Sequence, residues 1–430
     1  MKWLQEQIDQ ASADGGGRVT VPRGVWRCGQ VRLRSGVELH LEAGAVLLCS
    51  EDYADLERRE GEARDTPRAF ICARDAEDVT ISGAGVIDGN GRAYVAEELP
   101  HIYRMKARRP RMFCLMGVKR LTISGVTIRD AAEWSLWLCG CERVTISGIR
   151  LLNDLKTPNA DGIGIDRCKD VTISGCHIEA GDDAIVLKTT RGADREHYGG
   201  VENVTVSGCH LKSTSSALVI GCEIAAPVRN VVFDNCVVQS SHRGLAINHS
   251  FESDIEHVVF SNIRVETRIF DRQWWGCGEP IYVKALPWTE RDTVGRIRHV
   301  VFRNIRARAE NGVVIWGERP DRIQDVRLEN VALTLTRWSK YRGGELDLRP
   351  CPGADNGLAA GVFQHPVHAL MLHNARDLAL DGVTLTVERD SGVVCRGPLE
   401  ISGVENLKLN NILSKISAKE TWGIPLSPND

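Results

Sequence analysis

Asp170-Val-Thr-Ile-Ser-Gly175 is a six-residue phrase that recurs along most of the 430-residue chain. Close copies are Asp78–Gly83, Arg120–Gly125, Arg143–Gly148 and Asn203–Gly208, and looser copies are Asn230–Asn235, His257–Asn262, His299–Asn304, Asp325–Asn330, Asp377–Gly382 and Asn406–Asn411. Several successive copies begin 23 to 27 residues apart. Longer steps of 33, 42 and 52 residues separate others, and we interpret them as insertions in loops.

Each copy alternates apolar and polar residues and is rich in β-branched residues, which is typical of a half-buried strand. The closing Gly or Asn provides a turn with positive φ. A unit of about 25 residues cannot bury a face by itself, whereas a stack of such units can. A leucine-rich horseshoe has a similar period, but its helices and Leu-x-x-Leu segments are missing from the sequence. The repeats therefore predict an all-β fold, a single-stranded right-handed parallel β-helix.

The repeats follow one another without a linker-like break, so we expect a single domain with coils over residues 18–415. Residues 1–17 are expected to form an N-terminal cap, in which Trp3–Ala11 is a short helix that ends near Gly15. Such a cap protects strand edges that would otherwise be unpaired. Residues 416–430 are expected to form a C-terminal tail.

The cysteines follow the register of the repeat. Cys176, Cys209 and Cys236 each lie five residues after the second residue of a copy, and Cys141 and Cys168 each lie three residues before it. Equivalent positions in successive coils stack about 4.8 Å apart, so we expect ladders of packed thiols. No CxxC pair or zinc-like spacing occurs, and we expect no disulfide, metal or other cofactor. A second ladder of stacked amides is predicted for Asn235, Asn262, Asn304 and Asn330.

The composition excludes several kinds of partner. The chain has 54 basic and 57 acidic residues, a net charge of −3 and 43% hydrophobic residues, which argues against disorder and against nucleic-acid binding. No apolar run reaches the length of about 18 residues that a membrane span needs, so no membrane partner is expected. The first residues carry charges too early for a signal peptide, and we expect a cytoplasmic protein. The oligomeric state stays open.

Three carboxylates stand out against this background. Asp161 and Asp183 precede similar apolar stretches 22 residues apart, so they are expected at the same position in adjacent coils, with Asp182 beside them. Like charges held close together raise one another's pKa, and a site can thereby keep one protonated acid beside an ionised base. Such a pair can perform general acid and general base catalysis on a glycosidic bond.

The motifs around these residues are specific. Asn159-Ala160-Asp161 and Gly181-Asp182-Asp183 resemble the Asn-Thr-Asp and Gly-Asp-Asp signature of glycoside hydrolase family 28, the polygalacturonase family, and residues 39–45 and 85–91 resemble its N-terminal coils. The resemblance covers residues 3 to 320. It implies a parallel β-helix enzyme that inverts the anomeric carbon without a metal. Asp182 would be the general acid, and Asp161 and Asp183 would activate the water, with the main base left open.

The chain also departs from the family pattern. Ser216 stands where the family usually has a histidine, and Ala246 and Asn248 stand where it has an arginine and a lysine that hold the uronate carboxylate. The acids are therefore kept while the carboxylate clamp is lost. We expect an exo-acting hydrolase of plant cell-wall, pectin-type oligosaccharides other than ordinary homogalacturonan.

Further residues are candidates for substrate binding together with Ser216 and Asn248. Lys188 follows the Asp pair, Arg243 flanks the altered strand, and Glu223 lies in a loop that is expected to line the cleft. Trp274 and Trp275 lie in a long insertion, where their rings can stack on a sugar or pack the loop onto the coils.

Two other functions remain open. A pectate-lyase-like enzyme would use Ca²⁺ held by carboxylates and an arginine base, although the strands that carry the three Asp residues offer no obvious arginine. A non-catalytic carbohydrate-binding solenoid would agree with the missing histidine and basic pair, although it would not need all three acids.

Overall fold

The computed structural model describes residues 2–56, 68–272, 274–341, 343–353, 361–388 and 395–416. The predicted C-terminal tail, apart from its first residue, lies outside the described residues. Two compact units contain the described residues, one formed by Met1–Thr214 with Ala225–Val231 and the other by Ser215–Ile224 with Val232–Asp430.

Strands make up nearly all of the regular structure in the described ranges. One α-helix, α1, spans Lys2–Ala13, and short 3-10 turns occur at Tyr53–Asp55, Gly91–Tyr94, Glu196–Tyr198 and Pro320–Arg322. The strands up to residue 213 are β1 (Gly17–Val21), β2 (Gly24–Cys28), β3 (Val31–Arg32), β4 (Val37–Leu41), β5 (Ala45–Cys49), β6 (Ala69–Arg74), β7 (Glu77–Gly83), β8 (Val86–Asp88), β9 (Val95–Glu98), β10 (Tyr103–Met105), β11 (Arg111–Met116), β12 (Lys119–Ser124), β13 (Thr127–Arg129), β14 (Leu136–Cys139), β15 (Glu142–Ser147), β16 (Arg150–Leu152), β17 (Ile163–Asp166), β18 (Lys169–Ser174), β19 (His177–Ala180), β20 (Ile185–Thr189), β21 (Val201–Ser207) and β22 (His210–Ser213). The later strands are β23 (Ser216–Ile224), β24 (Val228–Asp234), β25 (Val237–Ser241), β26 (Arg243–His249), β27 (Ile255–Ser261), β28 (Arg264–Thr267), β29 (Ile281–Ala285), β30 (Ile297–Ala309), β31 (Val313–Gly317), β32 (Ile323–Leu335), β33 (Glu345–Asp347), β34 (Val362–Gln364), β35 (Val367–Asp381), β36 (Thr384–Val387), β37 (Cys395–Asn410) and β38 (Leu413–Ile416).

The recurring phrase sets the register of the coils. The second residues of its copies pair in parallel within each unit, and all of them are buried except Leu407. In the first unit they are Val79, Leu121, Val144, Val171 and Val204. In the second unit they are Val258, Val300, Val326, Leu378 and Leu407. The predicted parallel β-helix is thereby confirmed.

Turns with positive φ delimit each copy of the phrase. The closing Gly or Asn has the expected positive φ, for example +60° at Gly175 and +57° at Asn262. The first residue of each copy is also left-handed, as at Asp170 with φ +54° and Arg143 with φ +54°, which the sequence did not suggest because arginine carries no preference for that region.

The predicted amide ladder is confirmed for three of its four residues. Asn330 donates from Nδ2 to Oδ1 of Asn304 over 2.8 Å, and Asn304 donates in the same way to Asn262 over 2.9 Å. Asn262 donates to Oδ1 of Asp234 over 2.8 Å, so at this end of the ladder an aspartate takes the place predicted for Asn235.

The N-terminal helix caps an edge of the first unit. Two residues of the helix, Leu4 and Ile8, are buried. The Gln5 amide donates to the Arg32 carbonyl over 3.0 Å and accepts from the Arg32 N–H over 2.8 Å, so it replaces a strand neighbour for that backbone. No helix in the described part of the chain is long and apolar enough to cross a membrane.

All fourteen cysteines lie among the described residues, and none of them forms a disulfide there. The predicted thiol contacts occur within the first unit, where the Cys141 N–H donates to Sγ of Cys168 over 3.3 Å. A hydrogen bond with Cys209, together with burial, raises the pKa of Cys176. Buried thiols with raised pKa values stay protonated and react slowly.

A thiol titration of the denatured, non-reduced protein should therefore find close to fourteen free thiols. The same titration after reduction and desalting is the control and should give an equal count. Several thiols missing from the first count alone would contradict both the ladders and a reducing compartment.

Candidate active site

Two neighbouring strands bring Asp161 and Asp183 to equivalent positions. β17 pairs in parallel with β20, and Ile163 is the partner of Ile185. Just before this pairing, the Gly162 N–H donates to the Asp183 carbonyl over 2.8 Å. Each Asp therefore lies two residues before the paired strands, held by the backbone ladder.

The three carboxylates expected from the sequence lie together in the first unit. One oxygen from each of Asp161, Asp182 and Asp183 lies within 4.8 Å of the others. Asp161 and Asp182 are buried and Asp183 is half-buried. The Asp183 N–H donates to Oδ1 of Asp182 over 3.0 Å, which fixes the orientation of that carboxylate.

Asp161 has an unusual environment. Its Oδ1 is buried and has no hydrogen-bond partner among the described residues. Burial, followed by the charge of Asp182, raises the pKa of Asp161 well above its ordinary value, while the Lys188 ammonium opposes this shift. Because the carboxylates interact, the proton belongs to the group as a whole. The group can therefore hold a shared proton at a higher pH than an isolated aspartate can.

Arg109 is a neighbour of this site that the sequence analysis missed. Its guanidinium donates to the carbonyls of Ala132 and Pro158 over 2.8 and 2.6 Å, and to Oδ1 of Asn159 over 2.8 Å. Burial lowers the pKa of Arg109, although the charges of nearby carboxylates, including Asp182, oppose this. Only a basic stretch over residues 104–111 could have suggested Arg109. Arg109 lies in a loop outside the repeat, so the spacing of the repeat does not predict that it lies near the carboxylates.

Lys188 and Trp134 form one wall of a small pocket beside Asp161, with a volume of about 10 Å³, which is room for roughly one water molecule. The Lys188 ammonium lies 5.0 Å from the centre of the Trp134 ring, and the Arg111 guanidinium lies 4.2 Å from it. These two cations hold the indole in place at the edge of the carboxylate group.

Arg243, expected to contact substrate, instead belongs to an internal ion cluster of the second unit. Its side chain is 1% exposed and its Nε lies 3.5 Å from Oε2 of Glu279. Its Nη2 lies 3.8 Å from Oδ2 of Asp347, and the guanidinium lies 3.6 Å from the centre of the Tyr282 ring. Carboxylates of the same unit already neutralise and cover this cation, so its burial does not favour the substrate contact, which stays a prediction.

Trp274 takes the second of the two roles expected for it. It is 5% exposed and its carbonyl accepts from Arg349 over 2.7 Å, so it packs its loop and offers no ring face to a sugar. Trp275 is half-buried, with the Arg349 guanidinium 4.9 Å from its ring centre. Ser216 is buried and Glu223 is half-buried, and the roles predicted for them stay predictions.

Asn248 occupies the position of the missing lysine, and a lysine lies directly next to it in the following coil. In the pairing of β26 with β29, Ala246 is the partner of Tyr282 and Asn248 is the partner of Lys284. Lys284 is fully buried, and burial lowers its pKa to about 7. Lys284 could not be recognised from the sequence, because only the fold shows that β26 pairs with β29.

A segment of another insertion, the one between β32 and β35, covers these strands. Backbone carbonyls of residues 347–350 accept hydrogen bonds from three side chains, namely from Tyr282 at Asp347 over 2.8 Å, from Asn248 at Arg349 over 3.3 Å, and from Lys284 at Pro350 over 2.5 Å. Lys284 is therefore held by protein carbonyls, and a bound sugar would have to displace this segment to reach it.

Curated proteins of similar sequence include polygalacturonases. A probable polygalacturonase of Vitis vinifera is 30% identical over 201 residues, which are 44% of this chain and 40% of that protein. An exopolygalacturonase of Cochliobolus carbonum is 25% identical over 183 residues, 41% of this chain and 40% of that protein. The chain thus spans less than half the length of these curated relatives.

Solved structures share the fold. The family 28 exopolygalacturonase of Yersinia enterocolitica superposes with a TM-score of 0.68 at 19% identity, covering 95% of this chain and 75% of that chain. The polygalacturonase of Erwinia carotovora gives a TM-score of 0.65 at 21% identity, covering 79% and 92%. The expected right-handed β-helix is confirmed by these likenesses. The model of glycosyl hydrolases family 28 matches residues 15–342, most of the sequence, and the chain therefore belongs to this family.

Proposed function

We propose that the chain is a glycoside hydrolase of pectin-type oligosaccharides, with Asp161, Asp182 and Asp183 as its acid and base groups. The observation that carries this proposal is the group of three carboxylates, each with an oxygen within 4.8 Å of the other two. A purely structural coil would gain nothing from holding three like charges this close together, because their mutual repulsion is costly.

In this proposal Asp182 protonates the leaving glycosidic oxygen, and Asp161 and Asp183 orient and activate a water. The raised pKa of Asp161, caused by burial and by Asp182, supports a proton that the carboxylates share. Inversion is proposed from the family and not from distance, because inverting pairs typically stand about 6.5–9.5 Å apart and these oxygens are closer.

The substrate is proposed to lack an accessible uronate carboxylate at the altered position. Ala246 and Asn248 offer no cation there, and Lys284 in the next coil already donates to the Ser250 hydroxyl over 2.9 Å. Ordinary homogalacturonan presents a carboxylate on every sugar, so a neutral or modified sugar is the better fit. The free buried thiols favour a reducing compartment, in which short imported oligosaccharides and exo action are expected.

A calcium-dependent lyase is a second candidate, favoured by the same three carboxylates, which are the kind of ligand Ca²⁺ takes. Its mechanism needs an arginine base. Arg109 lies nearby, but three oxygens of the protein accept its hydrogen bonds and keep it charged. A chelator should abolish a lyase reaction, and the products should then be unsaturated and absorb in the ultraviolet.

Product analysis tests the proposal. The full chain is incubated with galacturonides, rhamnogalacturonan fragments and neutral pectic oligosaccharides, and NMR follows the first products. We expect saturated products of inverted anomeric configuration, shortened from one end, and a bell-shaped pH profile from one protonated and one ionised carboxyl.

Each outcome of this experiment is informative. Retention of configuration would overturn the inverting mechanism, because it requires a carboxylate that attacks the sugar. Unsaturated products that disappear with a chelator would favour the lyase. Tight binding without turnover across the panel would favour a carbohydrate-binding solenoid.

A further inference from the structure

A cluster of imidazoles and one carboxylate lies in the second unit, away from the residues discussed above. His368 and His373 belong to β35, His365 lies just before that strand, and Glu400 belongs to β37, which pairs with β35. The three imidazoles converge on the two oxygens of Glu400. All four side chains are 12% to 24% exposed, so the group is shielded and still reachable from solvent.

The distances within this cluster are short. His368 Nδ1 lies 2.7 Å from Oε2 of Glu400, His373 Nε2 lies 2.9 Å from Oε1, and His365 Nε2 lies 3.3 Å from Oε1. His368 Nδ1 and Glu400 Oε2 face each other, yet both atoms are buried and neither has a hydrogen-bond partner among the described residues. Two converging polar atoms without a hydrogen bond indicate a place for a third group.

This geometry suits a metal ion. One ligand atom from each of His365, His368 and Glu400 lies within 4.8 Å of the other two. Zinc ligand atoms lie about 2.0–2.2 Å from the ion, so two ligands of one ion stand up to about 4.4 Å apart, and small side-chain movements would bring the three atoms onto one ion. Imidazole nitrogen with carboxylate oxygen is the ligand set of borderline divalent metals such as zinc, cobalt and nickel.

Neighbouring groups prepare the ligands. The Trp316 ring stacks on His373 with 3.9 Å between ring centres, which fixes the plane of that imidazole. His365 also lines a cavity of about 630 Å³, which gives an ion a path to the site.

We propose that His365, His368 and Glu400 form a binding site for one divalent transition-metal ion, and that His373 positions Glu400 through its contact with Oε1. The ion would join the chain next to β34 to the strands β35 and β37. This proposal goes beyond the hydrolase activity and would revise the expectation, drawn from cysteine and histidine spacing along the chain, that no metal binds. The spacing alone concealed the site because Glu400 lies 27 residues after His373.

Cobalt binding to the full chain tests the site. The protein is stripped with a chelator, dialysed, and titrated with Co²⁺ while its visible absorption is recorded; calorimetry with Zn²⁺ provides the affinity and stoichiometry. We expect one ion per chain and a higher melting temperature with the ion than with the chelator. Glu400→Gln and His373→Asn should each weaken binding on the order of 10- to 100-fold.

His299→Asn is the matched control, because His299 also pairs with a carboxylate, Asp325, over 2.8 Å, but at the surface, where Arg327 pairs with the same carboxylate over 3.0 Å. This variant should bind the ion like the unaltered protein. Equal affinity in all variants, no binding, or an intense sulfur-to-cobalt band from the thiols would each overturn the proposal. If Glu400→Gln does not fold, His373→Asn decides, and circular dichroism confirms that the variant under test is folded.

Discussion

The Asp182→Asn variant is expected to lose turnover by about 10²- to 10⁴-fold while it still binds substrate, because the amide preserves shape and removes the proton donor. The substitution also keeps an acceptor for the Asp183 N–H, which lies 3.0 Å from Oδ1. Initial rates on the best substrate of the panel, together with a binding measurement, separate the two effects. A loss below about tenfold would mean that Asp182 is not the general acid.

Glu179→Gln provides the control for this variant. Glu179 lies in the same coil on β19, where its carboxylate is 3.7 Å from the Lys212 ammonium at the surface. The Glu179→Gln variant should keep the turnover rate of the unaltered protein.

Asp161→Asn and Asp183→Asn should each cause a severe loss of turnover. The loss in the double variant should fall short of the product of the two single losses, because both groups serve the same water.

The Asp347→Asn variant is expected to lose about 3–5 kcal/mol of unfolding free energy, the usual result of removing one partner from a buried ion pair. Asp347 is fully buried and lies 2.8 Å from Nη2 of Arg349 and 3.8 Å from Nη2 of Arg243. Both guanidinium groups would lose charge compensation that solvent cannot replace. Urea unfolding at pH 7 measures the difference.

The pH dependence provides a second readout of the same pair. Burial alone would raise the pKa of Asp347, but the hydrogen bond and charge of Arg349, with the charge of Arg243, hold it below its ordinary value. Its contribution is therefore complete above the unfolded pKa of about 3.9 and is lost as pH falls through the folded pKa. The difference in unfolding free energy between the Asp347→Asn variant and the unaltered protein should therefore become smaller below about pH 4.

Asp325→Asn is the matched control for stability. Asp325 pairs with His299 at the surface, with 31% of its side chain exposed, and such pairs contribute about 0–1 kcal/mol. If Asp347→Asn unfolds within about 1 kcal/mol of the unaltered protein, the buried cluster is not the stabilising element proposed here.

The fold was predictable because its signal is local and repeated. Each copy of the phrase carries its own alternation and its own turn residue, and equal spacing forces equal positions to pair, as Val144 does with Val171. The same reasoning predicted that Asp161 and Asp183 would be neighbours. The left-handed φ at Arg143 was not predictable, since the repeated turn imposes it against the preference of the residue.

Residues outside the repeat were harder to interpret. Arg109 lies in a loop before β11, and its hydrogen bonds reach Ala132 and Pro158, which no spacing rule connects to it. The residue types of Arg243 and Trp274 suit sugar binding, but both side chains are buried. Their partners lie far along the chain: Asp347 lies 3.8 Å from Arg243, and Arg349 donates to the Trp274 carbonyl over 2.7 Å.

The sequence by itself determined the β-helix, the register of its coils, the ladders of amides and thiols, and the grouping of Asp161 with Asp182 and Asp183, because these depend on periodic, short-range pattern. Only the tertiary structure decided which charges are buried and which groups meet across insertions, as His365 does with Glu400 at 3.3 Å. Loop closure leaves no periodic trace in the sequence, and burial depends on everything that packs around a side chain.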